Sequence, residues 1–193
     1  MRIIGGEYRS RLIQIPKGGR TRPTKDRVRE AVFNILVRKV GGSLVLDLYA
    51  GSGAMGIEAI SRGARRAVFV EDDPRSVKAI SDNIKTLGIP ADKAVIVKKD
   101  ATKAIRAMAE DGLIFDIIFL DPPYYKKLAK ECLINIIQYG IVNSQSLIVV
   151  EHHRTDDVTV SDSGFIEKVK RRYGDTHISI FGVQRPQPAL PQG

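Results

Sequence analysis

The sequence predicts an α/β protein: a mostly parallel sheet that an antiparallel hairpin closes. Three observations predict it. Short apolar runs alternate with segments of helical period from Leu44 to Val150, and that βα repetition makes a parallel sheet. The runs are apolar throughout, which marks strands covered on both faces. Near the end, Phe165–Arg172 and His177–Val183 flank Tyr173-Gly174-Asp175-Thr176, the pattern of two strands around a turn.

Before the first core strand, Arg2 to Pro16 alternates weakly around Gly5-Gly6 and predicts a small hairpin. Thr24 suits an N-cap, and Val28, Val32, Ile35 and Leu36 recur at helical spacing, so a helix is expected to about Val40. Leu44–Tyr49 is the first core strand. The glycine-rich turn Ala50–Gly56 leads into a helix at Ile57–Ile60. Ala67–Val70 is the second strand, and Pro74 opens a helix that Gly88 stops. Ala94–Val97, a helix over Ala101–Glu110, and the strand Phe115–Leu120 follow. Leu128, Cys132, Leu133 and Ile136 mark one more helix, and Ser146–Val150 is the fifth strand. The Pro-rich tail 186–193 is expected to be loose.

Composition narrows the class. The chain has 193 residues, enough for one domain with a substantial core. No apolar run is long enough to span a membrane, and no signal-peptide region opens the chain. Cys132 is the one cysteine, which excludes an intrachain disulfide and a cysteine-built zinc site and fits a reducing cytoplasm. The net charge is +9. Residues 1–39 hold eleven Lys/Arg against three acids, a net of +8, and the remainder nets +1. Such asymmetry points to a polyanion, with nucleic acid the default partner. Arg2, Arg9, Arg11, Arg22, Lys25, Arg27 and Arg29 are the candidate phosphate contacts.

Four strands end on acids: Asp47, Glu71 (followed by Asp72), Asp100 and Asp121. All are expected along one edge of the sheet, where open α/β sheets bind ligands. Gly51, Gly53 and Gly56 form Gly-x-Gly-x-x-Gly between a strand and a helix, the context of a nucleotide-type site. Ser52 lies inside that turn. Glu71 is placed to accept ribose hydroxyls. Asp47 beside the glycine turn disfavours a pyrophosphate and favours the cationic, phosphate-free S-adenosylmethionine. Asp100 and the Ala101 N–H suit an adenine, and Tyr49 borders the same pocket. Asp121-Pro122-Pro123-Tyr124 makes a rigid ledge after the fourth strand, since each proline fixes φ and lacks an N–H. Such a ledge suits a planar substrate bearing an amine, with its ring on Tyr124 and its –NH2 donating to Asp121 and a carbonyl.

Val45–Gly53 together with Asp121–Tyr124 resembles the class I S-adenosylmethionine-dependent methyltransferases that act on exocyclic amines. Arg2-Ile3-Ile4-Gly5-Gly6, Arg22-Pro23-Thr24-Lys25-Asp26-Arg27-Val28-Arg29-Glu30 and Tyr173-Gly174-Asp175-Thr176 extend the likeness to the RsmD family, bacterial methyltransferases of guanine N2 in small-subunit ribosomal RNA (rRNA). The resemblance implies a class I methyltransferase, Rossmann-like sheet over residues 41–185. It also implies an RNA-binding basic hairpin and helix over residues 1–40; the Pro-rich tail over 186–193, expected to be flexible, departs from the family. Asp121, Pro122, Pro123 and Tyr124 would be catalytic, Thr24 would join the basic residues in binding RNA, and Arg22 and Thr24 would also close over the cofactor's methionine end. The partner would be small-subunit rRNA, free or within an assembling subunit. The default state is a monomer without a metal. The rival readings are an adenine-N6 DNA methyltransferase, an NAD-dependent oxidoreductase and a non-catalytic RNA-binding module.

Overall fold

The computed structural model describes residues 1–16, 23–123, 127–160 and 164–184, without the side chains of 23–25. Among the described residues five helices alternate with five strands and two more strands follow: α1 Pro23–Ile35, β1 Leu44–Leu48, α2 Ala54–Ser61, β2 Arg66–Glu71, α3 Pro74–Leu87, β3 Ala94–Lys98, α4 Ala101–Glu110, β4 Phe115–Leu120, α5 Leu128–Gln138, β5 Val142–His153, β6 Phe165–Tyr173 and β7 Thr176–Val183. The strands form one sheet in the order β3-β2-β1-β4-β5-β7-β6. β1 to β5 pair in parallel, and β7 runs antiparallel between β5 and β6. The chain winds outward from β1 to β3, then returns to β4 beside β1. That reversal opens a crevice at the carboxyl ends of β1 and β4.

The sheet is covered on both faces, as the apolar runs require. Val45 faces the layer of α1, α2 and α3 with Phe33, Leu36, Ile57 and Ile80. Leu44, Leu46 and Leu48 face the layer of α4 and α5 with Ile105, Leu133 and Ile136. Full burial of each such side chain contributes roughly 1.5–3 kcal/mol. In α3, Asp73 accepts from Arg75 N at 2.9 Å at the start and Gly88 adopts φ 71° at the end, so both caps match their residue types.

Three elements depart from expectation. α1 ends at Ile35 and continues only as a turn. Its buried stripe runs through Val28, Val32, Phe33 and Leu36, whereas Ile35 is 41% exposed; a 100° period carries position 35 off the core face. β5 begins at Val142 and reaches His153. Its polar start is held by Ser146 Oγ, which donates to the Phe115 carbonyl at 2.7 Å. Its end is carried on by β7, which pairs with His152 and His153. The N-terminal hairpin reduces to one bridge, Arg2 to Leu12. Gly5-Gly6 is a docking point there: a Cβ on Gly6 would collide with the Ser61 carbonyl at the end of α2. Ile3, Tyr8 and Ile13 join the same core layer as α1, α2 and α3. Residue 185 and the Pro-rich tail lie outside the described residues.

Candidate active site

The crevice between β1 and β4 holds a cavity of about 140 Å³. Asp47, Tyr49, Gly51, Ser52, Asp121 and Glu151 line it, with Met1, Arg29 and Phe119 among its other walls. The glycine turn is built for close approach. Tyr49 already stands at φ 59°, uncommon for a bulky residue. Gly53, at φ 76°, enters α2. Gly56 lets α2 lie against β2, because a Cβ there would strike the Phe69 ring.

Each strand-end acid has a definite station. Asp47 is 3% exposed, and its Oδ2 accepts from Gly56 N at 2.9 Å. Burial pushes its carboxyl up to about 8; the Gly56 N–H opposes that, while Asp121 and Glu71 add repulsion. Glu71 Oε2 accepts from Gly51 N at 2.8 Å, and Oε1 accepts from Asp72 N and Asp73 N at 3.0 Å. This carboxylate therefore fixes the turn's entry. The Asp72 side chain is exposed. Asp100 is exposed and caps α4 through Lys103 N at 3.2 Å, with Ala101 buried behind it. Glu71, Asp72, Asp100 and Ala101 stand at the ends of β2 and β3, beside the cavity and not among its lining residues. At the ledge, Asp121 is half-buried, Pro122 buried and Pro123 exposed. Tyr124 lies outside the described residues. A smaller cavity of about 30 Å³ adjoins the ledge, lined by Pro122, Pro123, Lys127, Glu151 and His152 among others. Glu151 is thus shared by both cavities.

The basic segment divides. Arg2, Arg9 and Arg27 are exposed. Arg11 is exposed but donates to Thr86 O at 2.9 Å and Leu87 O at 3.3 Å, so it caps the carboxyl end of α3. Arg29 corrects the expectation outright, since at 3% exposure it is not a surface phosphate contact. It donates to Arg2 O at 2.5 Å and Asp26 Oδ1 at 3.2 Å, and its Nε lies 3.5 Å from Glu58 Oε2. Arg22, and the side chains of Thr24 and Lys25, lie outside the described residues.

Three residues beyond the expected set organise the site. Glu58, fully buried in α2, accepts from Ile4 N and Gly5 N at 2.8 Å and from Arg62 Nε at 2.7 Å. The signal for it was a lone acid in the apolar run Ile57–Ile60. Asn83, 2% exposed in α3, accepts from Gln14 N at 2.7 Å and donates to Gln14 O and Ser52 O at 3.0 Å. It ties the N-terminal segment to the glycine turn. Glu151 follows the rule of acids at strand ends and continues the series by one strand. Among the described residues, no group of three or more His, Cys, Asp or Glu is placed to hold a metal ion. No helix among them is long and apolar enough to cross a membrane.

The family model described as conserved hypothetical protein 95 matches residues 1–182. A Bacillus subtilis protein named as a candidate rRNA methyltransferase, YlbH, is 36% identical over 181 residues, 94% of this chain and 98% of that protein. Ribosomal RNA small subunit methyltransferase D of Escherichia coli K12 is 37% identical over 151 residues, 78% of this chain and 74% of that protein. A solved Escherichia coli structure, described as a candidate methyltransferase yhhF, superposes with a TM-score of 0.83 at 31% identity. That superposition covers 96% of this chain and 99% of that one. The sheet is of the class I, Rossmann-like methyltransferase kind. With the family model spanning nearly the whole chain, and with these relatives, the protein belongs to the RsmD family.

Proposed function

We propose that this protein transfers a methyl group from S-adenosylmethionine to the exocyclic N2 of a guanine in small-subunit rRNA. One observation carries the reading: Asp47, Asp121 and Glu151 line a single cleft between the glycine turn and the proline ledge. Ionised carboxylates there attract a sulfonium and an ammonium and repel phosphate, and a bound cation in turn favours ionisation of Asp47. The residues fit the cofactor in other ways. Gly51 and Ser52 wall the cleft with a turn of left-handed glycines. Glu71, fixed against the Gly51 N–H, stands where ribose hydroxyls can donate to it.

When bound, S-adenosylmethionine would supply an activated methyl on sulfur: the N–C bond would form as the S–C bond breaks, leaving a neutral thioether, and the methylated nitrogen would release one proton to solvent water. The chain's contribution is position and charge. Asp121 and the Pro122 carbonyl accept the two amine hydrogens, which turns the nitrogen lone pair toward the cofactor side of the cleft. Asp121 also offsets the positive charge that grows on nitrogen. Tyr124 stacks on the base, which is unpaired or flipped out. The exposed arginines of residues 1–40 hold phosphates. The substrate is RNA presented by an assembled or partly assembled small subunit, and the enzyme acts as a monomer without a metal.

The test is transfer of labelled methyl to small ribosomal subunits and to naked rRNA, followed by nucleoside analysis. Label in N2-methylguanosine is expected. Label in N6-methyladenosine would overturn the base assignment, and no label on either substrate would overturn the activity. Asp121→Ala should lower transfer on the order of 10²–10³-fold, as loss of a transition-state hydrogen-bonding group does. Titration with S-adenosylhomocysteine should show its affinity for that variant unchanged.

A further inference from the structure

One strongly charged surface is unused by this mechanism. β6 carries Lys168, Lys170, Arg171 and Arg172, all exposed. Among the described residues no carboxylate pairs with any of the four; the ion pair at this edge is Arg154 with Asp175, at 3.2 Å. Sequence charge counting hid the cluster, because acids elsewhere in residues 40–193 cancel it.

The fold puts these cations at the working edge of the sheet. β7 runs antiparallel to β5, so the turn from β6 to β7 emerges at the carboxyl end of the parallel strands. Arg154 N anchors that turn by donating to Asp175 O at 2.9 Å. The pairing gives the rows. Leu120, the last residue of β4, lies level with Val150, Ser179 and Lys170. Glu151, Ile178 and Arg171 form the next row, and His152, His177 and Arg172 the one after. Lys170 thus lies level with the last residue before the ledge, and Arg171 and Arg172 lie beyond it. The lateral separation is three strand spacings, on the order of 14 Å. Alternation turns Arg171 to the face of Ile178, and Lys170 and Arg172 to the face of His177. Burial, then Lys170, Arg172 and Arg154, hold the His177 imidazole below its ordinary value, so the positive charge belongs to the lysine and arginines. Laterally, the N-terminal segment lies across β4 from the hairpin, on α2 and α3, with Tyr8 and Arg11 at the carboxyl ends of those helices and Gln14 beside the glycine turn through Asn83.

We infer that the β6–β7 hairpin, through Lys170, Arg171, Arg172 and Arg154, is a second phosphate-binding surface. It grips the RNA strand on the side of the ledge opposite the N-terminal segment. Two grips flanking the ledge hold the backbone on both sides of the extruded base, which fixes the base's position as well as the strand's affinity. The inference rests on the reading of the protein as an RNA methyltransferase.

The test compares the full chain with a Lys170→Gln/Arg171→Gln/Arg172→Gln variant. A control variant, Lys78→Gln/Lys85→Gln/Arg106→Gln, changes three exposed charges on α3 and α4. The readouts are methyl transfer to small ribosomal subunits, and binding of naked rRNA at several salt concentrations. The hairpin variant should raise the KM for RNA on the order of tenfold and flatten the slope of log affinity against log salt by about 2, roughly 0.7 per lost single-strand contact. S-adenosylhomocysteine affinity and Tm should not move, and the control should match the parent. Parent-like KM and slope in the hairpin variant, with the parent active, would overturn the inference and leave the methyltransferase reading intact. Equal loss in both variants would mean a general charge effect and would overturn it too. A defect on subunits but not on naked RNA would assign the hairpin to a ribosomal protein instead. A parent that labels neither substrate would instead sink the underlying activity.

Discussion

Asp47 shows how much the cleft asks of one side chain. Its carboxyl, ordinarily near 3.8, is pushed up to about 8, chiefly by burial. An acid that holds its proton more tightly when folded favours folding only while it is protonated. Its contribution is therefore lost as pH rises from about 4 to about 8. Asp47→Asn keeps an oxygen for the Gly56 N–H and removes the ionisation. In thermal melts its Tm should exceed the parent's by more at pH 8 than at pH 5, at roughly 2–4 °C per kcal/mol released. An equal gap at the two pH values would show that Asp47 is not the ionising group. Above pH 8, where Asp47 is ionised, the same substitution should weaken S-adenosylmethionine more than S-adenosylhomocysteine, since only the former carries a sulfonium. Asp47 was legible from its place before a glycine turn. The burial of Arg29 was not, because nothing local separates an arginine that meets Glu58 and the Arg2 carbonyl from its exposed neighbours.

At the scale of elements, periodicity was a good guide where two layers pack on a strand. β1 to β4 and α3 to α5 lie within a residue or two of expectation. It failed where a distant partner decides. β5 runs past Glu151 because β7 pairs there, and its polar start is held by a serine reaching to Phe115. The N-terminal segment keeps cross-segment bonds from Ile3 N to Arg11 O, Ser10 N to Ile3 O and Ile13 N to Met1 O, but no strand ladder forms, because four N–H groups between them go to α2. Glu58 receives two of them, and Ser61 O and Oγ receive those of Glu7 and Tyr8. This one carboxylate also neutralises Arg62 and stands beside Arg29. Glu58→Gln should therefore destabilise the fold by about 3–5 kcal/mol, the cost of leaving buried charge uncompensated. Urea unfolding checks this, and a loss below about 1 kcal/mol would mean that Arg29 and Arg62 find other partners.

For the molecule as a whole, a mostly parallel sheet closed by an antiparallel hairpin could be read from the sequence, but the strand order needed the fold. The cavity needed it too. Glu151 joins Asp47 and Asp121 only because β5 lies beside β4, and Met1 joins them only because the first residues lie over α1 and α2. The sharp division of charge at residue 40 was real as composition and misleading as a map. Part of the N-terminal excess is spent internally through Arg11 and Arg29, while β6 at the far edge of the sheet carries four cations with no carboxylate partner among the described residues.

Asn83 links two parts of this arrangement. Its amide grips both backbone polar groups of Gln14 and the carbonyl of Ser52. Any ligand that steadies the glycine turn also steadies the chain leading into the basic segment, although the two are far apart in sequence. By thermodynamic reciprocity, whatever steadies that chain tightens the turn on its ligand by the same factor. The Gln14 amide is then a reporter. Its hydrogen exchange should slow when S-adenosylhomocysteine binds and lose that response in Asn83→Ala. Coupling of this kind would make loading of the glycine turn and steadying of the leading segment favour each other, in whichever order they occur.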